Sequence, residues 1–104
     1  MKQYKIIYHV GEAINLKTNI STGKIKIVGA FPEIISKRNT PILKLDSIEK
    51  VENILLNGLG HILKIKNGGQ TIYIAAYRIC IGNLIAITNM IGTKKLENEL
   101  KNFL

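Results

Sequence analysis

The sequence predicts a small, mostly β domain of the α+β class: several short strands followed by a C-terminal amphipathic helix. Three observations carry this expectation. Apolar residues, mostly Ile and Leu, alternate with Lys, Asn or Thr at a period of two. Gly, Asn and Pro punctuate these short runs. From Thr93 onward the pattern changes to the spacing of a helix.

Ala13 to Thr18 places Ile14 and Leu16 opposite Asn15 and Lys17, and Lys24 to Val28 places Ile25 and Ile27 opposite Lys24 and Lys26. With Asn19 to Gly23 as the turn, the two runs read as a hairpin with one face in the core. Glu33 to Ser36, after Pro32, and Ile42 to Leu45, after Pro41, are short strand candidates. In the second, Leu43 and Leu45 point inward and Lys44 outward. His61 to Lys66 and Thr71 to Arg78 flank Asn67, Gly68 and Gly69, which form a hairpin turn because positive φ carries little penalty there. Ser47 to Gly58 is ambiguous. Ile48, Val51, Ile54 and Leu55 have helical spacing, and Asp46 with Glu49 could form a capping box, so the local pattern favours a helix.

Near the C-terminus, Leu84, Ile87, Met90 and Ile91 fit a helical stripe with Asn83 as its cap, and Gly92 marks a break. Thr93 then caps a second helix whose stripe is Leu96, Leu100, Phe103 and Leu104.

Length and composition bound the rest. The 104 residues suit one domain over 1–104, and the 46% apolar content suits a packed core rather than a disordered chain. The single Cys80 excludes an internal disulfide and points to a reducing, cytoplasmic compartment, where a buried thiol is inert. The apolar run Ile6, Ile7, Tyr8 is too short for a signal peptide. Ile72 to Ile91 has the length of a membrane span, but Arg78, Asn83, Thr88 and Asn89 interrupt it and its first half alternates like a strand. No integral membrane segment is expected.

The order of short strands and terminal helix resembles the pleckstrin-homology-like barrel, in particular its small bacterial and GRAM-like versions. The resemblance covers residues 11–104. Gly11-Glu12 stands before the first strand. ILKLDSIEKVENILLNGLGHILKIKNGGQTIYI, residues 42–74, is similar to that family's Ile-x-Ile/Leu strand, Asp-x-Ile step, Val-containing strand and Gly-flanked hairpin. The resemblance implies a barrel of about seven antiparallel strands closed by the C-terminal helix. It also implies that Glu49 to Leu55 is a strand, against the local reading. The long apolar stretch from Ile79 to Ile91 departs from the family's more direct passage from last strand to helix.

Fifteen Lys and Arg against seven Asp and Glu give a formal charge of +8, which favours anionic partners or simply a well-solvated surface. In lipid-binding members of the family, a basic pattern across the first hairpin holds a phosphoinositide head group. Lys17, Lys24 and Lys26 occupy similar places and are the candidate anion site. The last position is Lys, which lacks the bidentate fork of Arg. Tyr73 and Tyr77 beside Arg78 could stack bases, so nucleic-acid binding is a further alternative, though no nucleic-acid motif is present. His9 and His61 have no carboxylate at ligand spacing, and no nucleophile, phosphate loop or acid/base pair is legible, so neither cofactor, metal nor catalysis is expected. The first expectation is therefore a non-catalytic binding module that meets a protein partner or itself. The runner-up recognises anionic phosphate at a membrane surface. Self-association is expected through edge strands at Glu33 to Ser36 and Ile42 to Leu45, guarded by Lys37 and Arg38.

Overall fold

The computed structural model describes residues 2–11, 21–56, 60–81, 85–88 and 90–104. The strands are β1 (Lys2–Val10), β2 (Ser21–Val28), β3 (Phe31–Ile35), β4 (Pro41–Lys44), β5 (Ile48–Leu56), β6 (Gly60–Asn67), β7 (Gln70–Ile81) and β8 (Ile85–Thr88), followed by helix α1 (Met90–Lys101). All pairings are antiparallel, and neighbours follow the order β4-β3-β2-β1-β7-β6-β5, with β8 on the far end of β7.

One face of this sheet is the core. Registers such as Tyr4–Ile25–Ile34–Leu43 and Val10–Ile72–Ile65–Val51 run apolar side chains across neighbouring strands. Ile6, Ile25, Ile34, Leu45, Val51, Leu63, Ile65, Ile72, Ile74, Leu96 and Leu100 form a single buried cluster. In a flat sheet β3 and β5 would stand about 24 Å apart, five spacings of about 4.8 Å. Their residues share one cluster, so the sheet curls until its two halves face each other. The helix fills one end, packed on β5, β6 and β7. The sheet does not close into a barrel: among the described residues β4 and β5 are unpaired edges.

The connection from β4 to β5 is braced by a side chain. Asn67, 6% exposed at the β6–β7 turn, accepts from the Ser47 N–H at 2.8 Å and donates to the Lys44 carbonyl at 3.4 Å. Gly68 and Gly69 follow with φ of 56° and 91°. The two successive positive φ values suit the two-residue hairpin turn read from the sequence.

Several expectations are corrected. The partner of Lys24 to Val28 is not Ala13 to Thr18. Lys24 to Ile27 are paired with β1 on one side and β3 on the other, so both edges are taken; residues 12–20 lie outside the described residues. β1 has its own period of two, Tyr4, Ile6, Tyr8 and Val10, which Ile7 partly masks. Ile48–Leu56 is a strand, as the resemblance implied for Glu49 to Leu55 and against the local helical spacing. Pairing along β6 and burial of Val51 outweigh local spacing. Ile85–Thr88 is likewise a strand, with Ile87 opposite Ile79 and Ile85 opposite Ile81. A short apolar run cannot distinguish the two periods, and β-branched Ile and Thr suit the pleat. Asn83 and Leu84 lie outside the described residues.

Gly92 does not break the chain, since α1 runs through it. Thr93 is not a cap. It sits inside the helix, 0% exposed, and its hydroxyl receives the Ala76 N–H at 3.1 Å and donates to the Ala76 carbonyl at 3.5 Å. The helix is thereby bound to β7. The apolar stripe holds at Leu96 and Leu100, but Phe103 is half-buried and Leu104 is 62% exposed. β3 is an inner strand; among the described residues β4, β5 and β8 each have one neighbour.

Two substitutions check this packing. Leu100→Ala removes a fully buried side chain, and denaturant unfolding is expected to show a loss of about 2–5 kcal/mol, with Phe103→Ala costing less. A Cβ at Gly23 would stand 2.6 Å from the backbone oxygen of Ile35. Gly23→Ala should therefore lower the unfolding midpoint by forcing β2 and β3 apart.

Candidate binding surface

Lys24 and Lys26 lie on the face of β2 opposite the fully buried Ile25, where the alternation places them. Lys17 lies outside the described residues. The register gives the two lysines separate surroundings. Lys26 stands in the row Gln3–Lys26–Glu33–Lys44 across β1, β2, β3 and β4. Lys26, Glu33 and Lys44, with Ala30 and Phe31, line a hollow of about 190 Å³. One carboxylate there faces two ammonium groups. Lys24 stands in the next row, directly opposite Lys5, and its Nζ donates to Asn39 Oδ1 at 3.4 Å.

The basic surface therefore spreads across four strands. Lys5 and Lys44 were missed as candidates because they belong to it through pairing between strands distant in sequence. The alternation of Lys2–Val10 was the one available signal for Lys5.

A second charged region lies on β5 and β6. Glu52 is opposite Lys64, and Lys50 is opposite Lys66. Within the strand, Lys50 Nζ meets Glu52 Oε1 at 2.6 Å. That hydrogen bond, then the charge of Lys50, lowers the Glu52 pKa against a small opposing effect of burial; Lys64 and Lys66 add to the lowering. Leu55, further along β5, is 68% exposed.

A third polar cluster joins helix to sheet. Glu97 is 3% exposed. It meets Lys101 at 2.8 Å and Lys94 at 3.4 Å, and accepts from Asn53 Nδ2 at 3.1 Å. Asn53 Oδ1 lies 3.0 Å from His61 Nδ1. The Lys101 hydrogen bond is the largest influence on Glu97. Burial opposes it, but Asn53 and Lys94 assist, and the pKa falls from 4.5 to about 2. This cluster anchors α1 over β5.

Tyr73 is 5% exposed, and its ring lies 6.3 Å from that of His9, tilted by 32°. Its ring packs within the fold and is not exposed to stack on a base. The side chains of Tyr77, Arg78 and Cys80 lie outside those described. Among the described residues, no group of three or more His, Cys, Asp or Glu is placed to hold a metal ion. No helix among them is long and apolar enough to cross a membrane; β7, β8 and the start of α1 occupy most of the apolar stretch Ile72 to Ile91. No family model, no curated protein and no solved structure matches the chain.

The Glu97 cluster sets a pH dependence. A carboxyl whose folded pKa lies below its ordinary value stabilises the fold above that value and loses the contribution as pH falls through the folded pKa. For Glu97 the window runs from 4.5 down to about 2. The contribution is about 3 kcal/mol at neutral pH. Denaturant midpoints measured across that window should fall steeply for the native chain and much less for Glu97→Gln, which should also be less stable at pH 7.

Proposed function

We propose that this protein is a non-catalytic binding module of pleckstrin-homology-like type, acting by presenting an unpaired sheet edge to a protein partner or to itself. The observation that carries this reading is β5. It is a nine-residue strand with a neighbour on one side only among the described residues. An edge strand presents unpaired N–H and C=O groups along its length, and addition of another strand satisfies them. The run of short strands and terminal helix in the sequence, which resembles the pleckstrin-homology-like pattern, supports the same reading.

The two carboxylates with shifted acidity are set to hold charge. Glu52 and Glu97 are both shifted downward by neighbouring lysines. A general acid or base working near neutral pH needs a shift in the opposite direction. Their surroundings stabilise charge and hold structure.

A second reading, recognition of an anionic phosphate head group at a membrane surface, is favoured by one observation. Lys5 and Lys24 stand directly opposite each other, and like charges so placed repel. A phosphate between them would relieve this.

Salt separates the two. The Debye length falls from about 10 Å at 0.1 M salt to about 3 Å at 1 M. Partners retained from an extract of the native host on the immobilised protein should remain bound across that range. Retention that collapses with salt, together with binding to phosphatidylserine vesicles, would overturn the first reading in favour of the second.

A further inference from the structure

We infer that the partner of β5 is a second copy of this chain, paired antiparallel about a twofold axis through Val51. This rests on the edge-binding reading above and names its occupant. Charge along the strand selects the register. In a twofold antiparallel pairing, directly opposite residues share a face of the sheet, as they do throughout this fold. Val51 belongs to the core face, while Lys50 and Glu52 belong to the outer face with Lys66 and Lys64.

An axis at Lys50 would set Lys50 against Lys50 of the partner subunit. An axis at Glu52 would set carboxylate against carboxylate. An axis at Val51 sets Lys50 against Glu52 of the partner subunit, and Glu52 against Lys50 of the partner subunit. Together with the in-strand Lys50–Glu52 contact at 2.6 Å, the four side chains form a checkerboard of alternating sign. The carboxylate that arrives also lies on the side of Lys50 away from Lys66, the like charge opposite it within the chain. It therefore offsets a repulsion that the single chain leaves on its own edge. Of the other strands with one neighbour among the described residues, β4 is shorter and begins at Pro41, which has no N–H to donate, and β8 has four residues. The resulting contact is isologous and closes at two copies.

Charge exchange between the two positions tests this. The native chain should show a mass twice its 11.6 kDa by light scattering. Lys50→Glu and Glu52→Lys each set like charges across the axis, and each should dimerise about tenfold more weakly. When the two variants are mixed, one chain carries carboxylates at both positions and the other carries ammonium groups at both. Every contact across the axis then joins opposite charges, so a heterodimer should form. Each variant keeps its in-strand like-charge defect on mixing, so recovery reports only contacts between chains. The doubly exchanged chain keeps the in-strand pair and guards against misfolding. It should dimerise with itself and refuse to exchange subunits with the native chain. A native chain that stays monomeric on dilution from high concentration overturns the proposal. So does a dimer that neither exchange weakens, a mixture that fails to recover, or free exchange between native and doubly exchanged chains. In all these cases a salt-resistant partner protein would still uphold the edge-binding reading, whereas its absence would remove that reading as well.

Discussion

The structure depends on β1 being paired along both edges. It joins β2 through residues 2–8 and β7 through residues 6–10, and is thereby the seam between the two halves of the sheet. Around Ile6, Ile7 and Tyr8 the backbone serves both neighbours. A strand held on two sides cannot turn its hydrophobic face to water without breaking both ladders. Ile6 is fully buried as a result, and Ile7 on the opposite face is 2% exposed. The apolar positions of β2, β3, β5, β6 and β7 can share one core only because β1 links their sheets and the whole curls.

Among the described residues curling leaves β4 and β5 unpaired on one side, and it leaves the fold open at one end. Both regions are held by buried polar groups with satisfied partners. Asn67 braces the β4–β5 connection with one side-chain amide that accepts from Ser47 and donates to the Lys44 carbonyl. At the end, Thr93 holds α1 to the backbone of Ala76, and Glu97 holds it to Asn53 on β5. Among the described residues no buried side-chain nitrogen or oxygen lacks a hydrogen-bond partner. Polar contacts of this kind fix the helix in one orientation, which Leu96 and Leu100 alone would not do, because apolar burial is non-directional.

The surface follows from the same pleat. Each strand that sends Ile inward sends its intervening residue outward, and in β1, β2, β4, β5 and β6 that residue is often Lys. Pairing then stacks lysines in rows, with Glu33 and Glu52 as the carboxylates among them. On β5 the alternation of Lys50 and Glu52 changes the character of the edge. A uniformly basic edge repels any second strand of the same kind, whereas an edge of alternating sign accepts one register and rejects its neighbours.

Local sequence patterns alone reveal the period-two runs of β2, β4, β6 and the first half of β7, the Gly68-Gly69 turn, the buried stripe of α1 and the mostly antiparallel class. These are local: side-chain alternation and backbone conformational preference act within a few residues. The outward placement of Lys24 and Lys26 was legible for the same reason. The tertiary structure decided what β2 pairs with, the strand state of Ile48–Leu56 and Ile85–Thr88, and the use of Thr93 as a link to β7 rather than a cap. Each of these turns on a partner far away in sequence. The ladder hydrogen bonds and buried area that the partner supplies exceed the few tenths of a kcal/mol by which local propensity distinguishes helix from strand. The candidate edge was hidden for that reason: the local spacing of Ile48 to Leu56 favours a helix, and nothing in it says that a strand there would have a neighbour on one side only among the described residues.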